Sequence, residues 1–97
     1  MIKFTEIFNL PMSYDLDLKR TPDSFSVREV FLNPGYVISA KENTVLFTKA
    51  QETPLVDGLK KEVQFTEVLL NVPGHAPSRL NIVGAPEYFA EKVAREL

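Results

Sequence analysis

The sequence predicts an α+β fold: an antiparallel sheet of about five strands, curled or half-barrelled, with one C-terminal helix. Three observations predict it. Apolar runs of strand length recur through residues 1–83, separated by Pro, Gly, Asn and Asp. Within those runs the side chains alternate with a period of two. Only the last segment, 86–97, changes to a helical period. The 97 residues fit one domain spanning 1–97.

The first strand is expected over Met1 to Leu10, where Ile2 and Phe4 alternate with Lys3 and Thr5 and Pro11 ends the run. Tyr14 to Lys19 alternates cleanly and fits either a short edge strand or a loop, because Thr21-Pro22-Asp23-Ser24 follows with turn chemistry. Phe25 to Leu32 is the strongest strand, rich in Val, Phe and Leu. Asn33-Pro34-Gly35 breaks it. Pro34 presets φ at a turn position and Asn33 can cap its own backbone, so the triplet reads as a corner with nothing reactive in it.

A strand resumes over Tyr36 to Ala40, and Lys41-Glu42-Asn43 fits a hairpin turn. Thr44 to Lys49 is expected to return as a strand with Val45 and Phe47 on one face. Ala50 to Lys61, with Pro54 and Asp57-Gly58, reads as a mobile loop. Glu62 to Val72 reads as a long strand whose alternation slips between Phe65 and Leu69, as at a bulge or in a strand buried on both faces. A second loop spans Pro73 to Arg79, and Leu80 to Val83 is a short strand. The helix over 86–97 starts at Pro86, suited to a first helical position, with Glu87 in the first turn. Phe89, Val93 and Leu97 make its apolar stripe, and Glu91 and Arg95 form an i,i+4 pair.

Composition narrows the function classes. The chain is 44% hydrophobic and 25% charged, as in ordinary globular proteins. It has no cysteine, which removes disulfides, Cys-ligated zinc, iron–sulfur clusters and thiol catalysis, and makes a reducing cytoplasm the expected setting. No apolar run approaches the roughly 18 residues of a membrane span, no signal-peptide pattern opens the sequence, and Ile2 after Met1 is incompatible with N-myristoylation. The net charge of −2 and the scattered basic residues disfavour nucleic acid as a partner. A core this small makes self-association a reasonable source of stability.

The search for reacting groups leaves no enzyme and no cofactor expected. His75 is the single histidine, and no nucleophile-elbow motif frames Ser78, three residues away. Asp15 and Asp17 would share a face of a strand, a pattern that suits a hard cation or simply the wet side of an edge. Glu29 and Glu67 each interrupt an apolar run. Either one faces solvent, or it points inward and takes Arg28, Lys41 or Arg79 as its partner. The glycines at 35, 58, 74 and 84 form no phosphate loop, and Pro86 and Glu87 make the final helix start a poor anion site. Tyr36 and Phe47 near Lys41 and Lys49 fit a core better than a base-stacking platform. For a small anionic ligand the candidate contacts are Arg28, Lys41, His75 and Arg79; their plain alternative is ordinary surface charge.

Three separated blocks carry a resemblance: "VREVFLNPGYVISAKE", "FTEVLLNV" and "LNIVGAPEYFAEKV". The order Arg28-Glu29, Phe31-Leu32-Asn33-Pro34, then Phe65-Thr66, then Val83-Gly84 with Pro86-Glu87, resembles a family of small proteins of tailed bacteriophages, cyanophages among them. The chain departs from that pattern at Gly35 and in the 71–79 loop. A thinner likeness, in Met1 to Thr5 and Leu32-Asn33-Pro34, is to the flagellar FlbD family. Neither resemblance implies catalytic residues. The phage resemblance implies an accessory protein that acts in the host cytoplasm by binding something. Three functions follow as expectations: a non-enzymatic binding or regulatory protein acting on a host or phage macromolecule, a nucleotide-sequestering protein, and an assembly component forming a symmetric homo-oligomer.

Overall fold

The computed structural model describes residues 1–10 and 25–96. The expected Tyr14–Lys19 element and the Asp15/Asp17 pair lie outside the described residues. The elements run β1 (Ile2–Asn9), β2 (Phe25–Leu32), a 3-10 turn (Pro34–Tyr36), β3 (Val37–Glu42), α1 (Thr44–Glu52), β4 (Phe65–Leu70), β5 (Ser78–Val83) and α2 (Pro86–Glu96). The strands form one open antiparallel sheet in the order β2-β1-β5-β4-β3. The α+β class and the five strands therefore stand as expected, and the sheet is not closed. It carries two helices rather than one.

Thr44 to Lys49, expected as a strand, is helical. It is the greater part of α1. The expected hairpin turn is also absent: Lys41 and Glu42 finish β3, and Asn43 caps the helix, its side chain accepting from the Leu46 N–H at 3.1 Å. The physical reason is burial. Leu46 and Ala50, four apart, both face the sheet, and that contact outweighs the strand propensity of Thr44, Val45 and Thr48. The long strand expected over Glu62 to Val72 is confined to Phe65–Leu70; Thr66, Val68 and Leu70 are buried on one face, and on the other Phe65 is buried while Glu67 and Leu69 are half-buried. The bulge falls in the neighbouring strand instead, between Val37 and Ser39.

Register assigns the faces, because directly paired residues of antiparallel strands point the same way. Ile2, Phe4, Glu6 and Phe8 of β1 share a face with Leu32, Val30, Arg28 and Ser26 of β2. Ile82 and Leu80 of β5 and Thr66, Val68 and Leu70 of β4 continue it. Helix α2 packs here. The Phe89 ring stacks on Phe4 at 4.8 Å between centroids, Tyr88 meets Phe4 edge-on at 6.4 Å, and Val93 packs alongside. Burying Phe4 and Phe89 stabilises the fold by roughly 1.5–3 kcal/mol each.

The opposite face carries Lys3, Thr5 and Ile7 of β1, Val27, Glu29 and Phe31 of β2, Asn81 of β5, and Phe65 and Glu67 of β4. Helix α1 covers its middle, where Ile7, Leu46, Ala50 and Phe65 form a second core cluster. The segment expected as a mobile loop completes this cover: Leu55, Val56 and Leu59 pack against the cluster, and Gln51 Nε2 donates to the Lys61 carbonyl at 2.7 Å. The helices thus sandwich the sheet. Between β5 and α2, Gly84 holds φ at 133°, and a Cβ there would meet Tyr88 Cδ2 at 2.6 Å. Only glycine fits that bend.

Candidate functional site

The Asn33-Pro34-Gly35 triplet is a corner, as read. Asn33 Oδ1 accepts from the Gly35 N–H at 2.9 Å, and the Tyr36 N–H donates to the Asn33 carbonyl at 3.0 Å. It turns the chain from β2, at one edge of the sheet, toward β3 at the other. The Asn71 N–H then fastens the corner by donating to the Tyr36 carbonyl at 2.9 Å.

The four cations proposed as ligand contacts do not share one site in the single chain. Arg28 lies on the α2 side of the sheet. Its Nε contacts Glu6 Oε1 at 2.8 Å, and its guanidinium sits over the Phe8 ring at 4.2 Å from the centroid. Lys41 and Arg79 lie on the opposite face and are brought together around Glu67. Lys41 stands directly opposite Glu67 in register, and Arg79 Nε lies 3.6 Å from Glu67 Oε1. His75 is exposed in the loop between β4 and β5, in a turn closed by its own N–H on the Val72 carbonyl at 3.0 Å.

Glu29 and Glu67 take one each of the two expected alternatives. Glu29 takes the solvent face and pairs with Lys3 at 3.2 Å. Glu67, half-buried, pairs with Arg79. The buried carboxylate is Glu6, 8% exposed, which the sequence reading passed over. Its signal was the alternation of β1: position 6 is in phase with Ile2, Phe4 and Phe8, so it had to point into the apolar face. Arg28 satisfies it. Thr66, on the same transverse row, is fully buried and donates its hydroxyl to the Gly84 carbonyl at 2.8 Å. The described residues contain no group of three or more His, Asp or Glu side chains placed to hold a metal ion.

The notable surface lies at the rim of the sheet. Among the described strand residues, the large apolar side chains that are exposed are Val27 at 39%, Phe31 at 57% and Ile38 at 55%. The first two belong to β2 and the third to β3, the two edge strands. Each edge also leaves a row of backbone amides and carbonyls without a neighbouring strand among the described residues. The edges differ in character. β3 is bulged and carries Lys41 and Glu42 side by side, both of which discourage strand addition. β2 pairs with β1 in unbroken register over eight residues and has no bulge.

Comparison of the chain with protein-family models, with curated proteins and with solved structures finds no match. No helix among the described residues is long and apolar enough to cross a membrane.

Proposed function

We propose that the chain is a small, phage-encoded, non-enzymatic binding protein that acts on a host or phage macromolecule through the edges of its sheet. One observation carries this reading: the exposed large apolar side chains of the sheet stand on its two edge strands. An unbulged edge such as β2 offers main-chain hydrogen bonds for affinity and alternate side chains for specificity, whereas the bulged β3 edge offers the exposed Ile38 side chain. The resemblance to phage proteins without catalytic residues supports the same reading.

The nucleotide-sequestering alternative gains less from the geometry. Two of its four cations already face carboxylates, Arg28 on Glu6 and Arg79 on Glu67, and they do so on opposite faces. The test is capture from a bacterial lysate with the wild-type chain and with Ile38→Lys as parallel baits. The proposal expects a protein retained by the first and released by the second, with the fold of both intact by circular dichroism. Equal capture by both baits, or thermal stabilisation by a nucleotide without protein capture, contradicts it.

A further inference from the structure

We propose that the β2 edge is filled by the β2 edge of a second copy, joining two five-stranded sheets into one continuous ten-stranded sheet about a two-fold axis at Glu29. The inference rests on the reading of the sheet edges as docking surfaces and assigns the occupant of one of them. It leaves Ile38 of β3 exposed in each copy as a side-chain contact for the macromolecular partner, since the bulge beside it disfavours strand addition there.

The β2 edge is self-complementary, which makes a second copy its occupant. A two-fold pairing of identical antiparallel strands keeps each face continuous, so the axis must pass through one residue and its own copy. With the axis at Glu29, Val27 faces Phe31 of the second copy and Phe31 faces Val27, and Ser26 faces Leu32 at both ends. The two exposed apolar side chains of the edge then cover each other, twice. Moving the axis to Arg28 sets Val27 against Glu29 and the two Arg28 side chains against each other. Moving it to Val27 or Val30 places Glu29 against Phe25 or Phe31.

Charge permits the chosen register. The Glu29 carboxylates come opposite one another, and each already has Lys3 of its own chain at 3.2 Å on the same face. Two neutralised pairs therefore meet, rather than two bare acids. On the other face Arg28, held by Glu6 and Phe8, lays its stem against Val30 of the second copy. Closure also removes the long unbulged edge, the kind that otherwise invites uncontrolled strand addition. The pairing stops at Leu32, where the Asn33-Pro34 corner turns the chain away from the edge.

The sequence contains no cysteine, so single-cysteine variants report the register cleanly. Glu29→Cys places the new thiol opposite its own copy, within the Cα separation of about 4.4–6.8 Å that a disulfide spans. Val27→Cys, equally on the edge, sits four residues from its own copy along the pair and serves as the control. Under mild oxidation Glu29→Cys is expected to convert to a covalent dimer, while Val27→Cys remains monomeric on a non-reducing gel. Phe31→Lys, at an exposed position, is expected to abolish the non-covalent dimer of the otherwise wild-type chain while leaving its circular dichroism unchanged. A Glu29→Cys variant that stays monomeric, or that cross-links no better than Val27→Cys, overturns the inference. If the chain stays monomeric yet still captures its partner in an Ile38-dependent way, only the β2 pairing is lost and the proposed function stands.

Discussion

Asn43 ties the start of α1 to Asn81 in the middle strand of the sheet: its Nδ2 donates to Asn81 Oδ1 at 2.8 Å while its own Oδ1 accepts from the Leu46 N–H. The Asn43 N–H also donates to the Phe65 carbonyl at 2.8 Å. One side chain thus caps a helix and fixes that helix on the sheet. Replacing Asn43 with Ala should destabilise the protein by about 1–2 kcal/mol in urea unfolding, the usual loss for a cap. Asn43→Asp keeps the cap oxygen but loses the donor to Asn81, and should fall between the two. An Ala variant as stable as wild type would mean that α1 is held by Leu46 and Ala50 alone.

The bend at Gly84 makes a second test. Ala at this position must hold φ near 133° or push the Tyr88 ring aside, and either should cost roughly 1–3 kcal/mol. The readout is the midpoint of thermal or denaturant unfolding. Gly58, also at positive φ but with nothing near its Cβ direction, should lose less when changed to Ala.

Glu6 and Arg28 predict an asymmetry. Arg28 is more than half exposed and can return to water when Glu6 becomes Gln, whereas Arg28→Ala strands a buried carboxylate. Arg28→Ala should therefore be the more damaging change, by roughly 1–3 kcal/mol. The double variant should lose less than the sum of the two single losses. Additive losses would remove the pair from the account of stability.

Burial separates the aromatics. Phe89→Ala empties the stack on Phe4 and should cost about 3–5 kcal/mol. Phe31→Ala, at a position 57% exposed, should change folding stability by no more than about 0.5 kcal/mol and act instead on association.

Much of this fold was legible from periodicity. The alternation of Ile2 and Phe4 in β1 and the spacing of Phe89 and Val93 in α2 point to those elements directly, because these side chains pack into one core cluster. Helix α1 was hidden because it is short, is rich in β-branched residues and buries only two side chains fully. Its cap, Asn43, also has the composition of a turn. The true signal was the pair Leu46 and Ala50, which a strand would place on the same face equally well. Of the candidate site, the exposed edges could not be read at all. Which strands lie at the rim depends on sheet order, and the sequence shows β1 and β5, far apart in the chain, no sign that they are neighbours. The cations were readable as residues but not as places: Lys41 and Arg79 converge only because β3 and β5 both flank β4.

The most direct measurement is native mass spectrometry of the chain purified from a bacterial cytoplasm, with Phe31→Lys and Ile38→Lys weighed beside it. The account predicts a dimer of the 11.0 kDa chain that Phe31→Lys abolishes and Ile38→Lys leaves intact, with no small molecule bound. A bare 11.0 kDa monomer in all three samples, or a small-molecule adduct lost on denaturation, would contradict it.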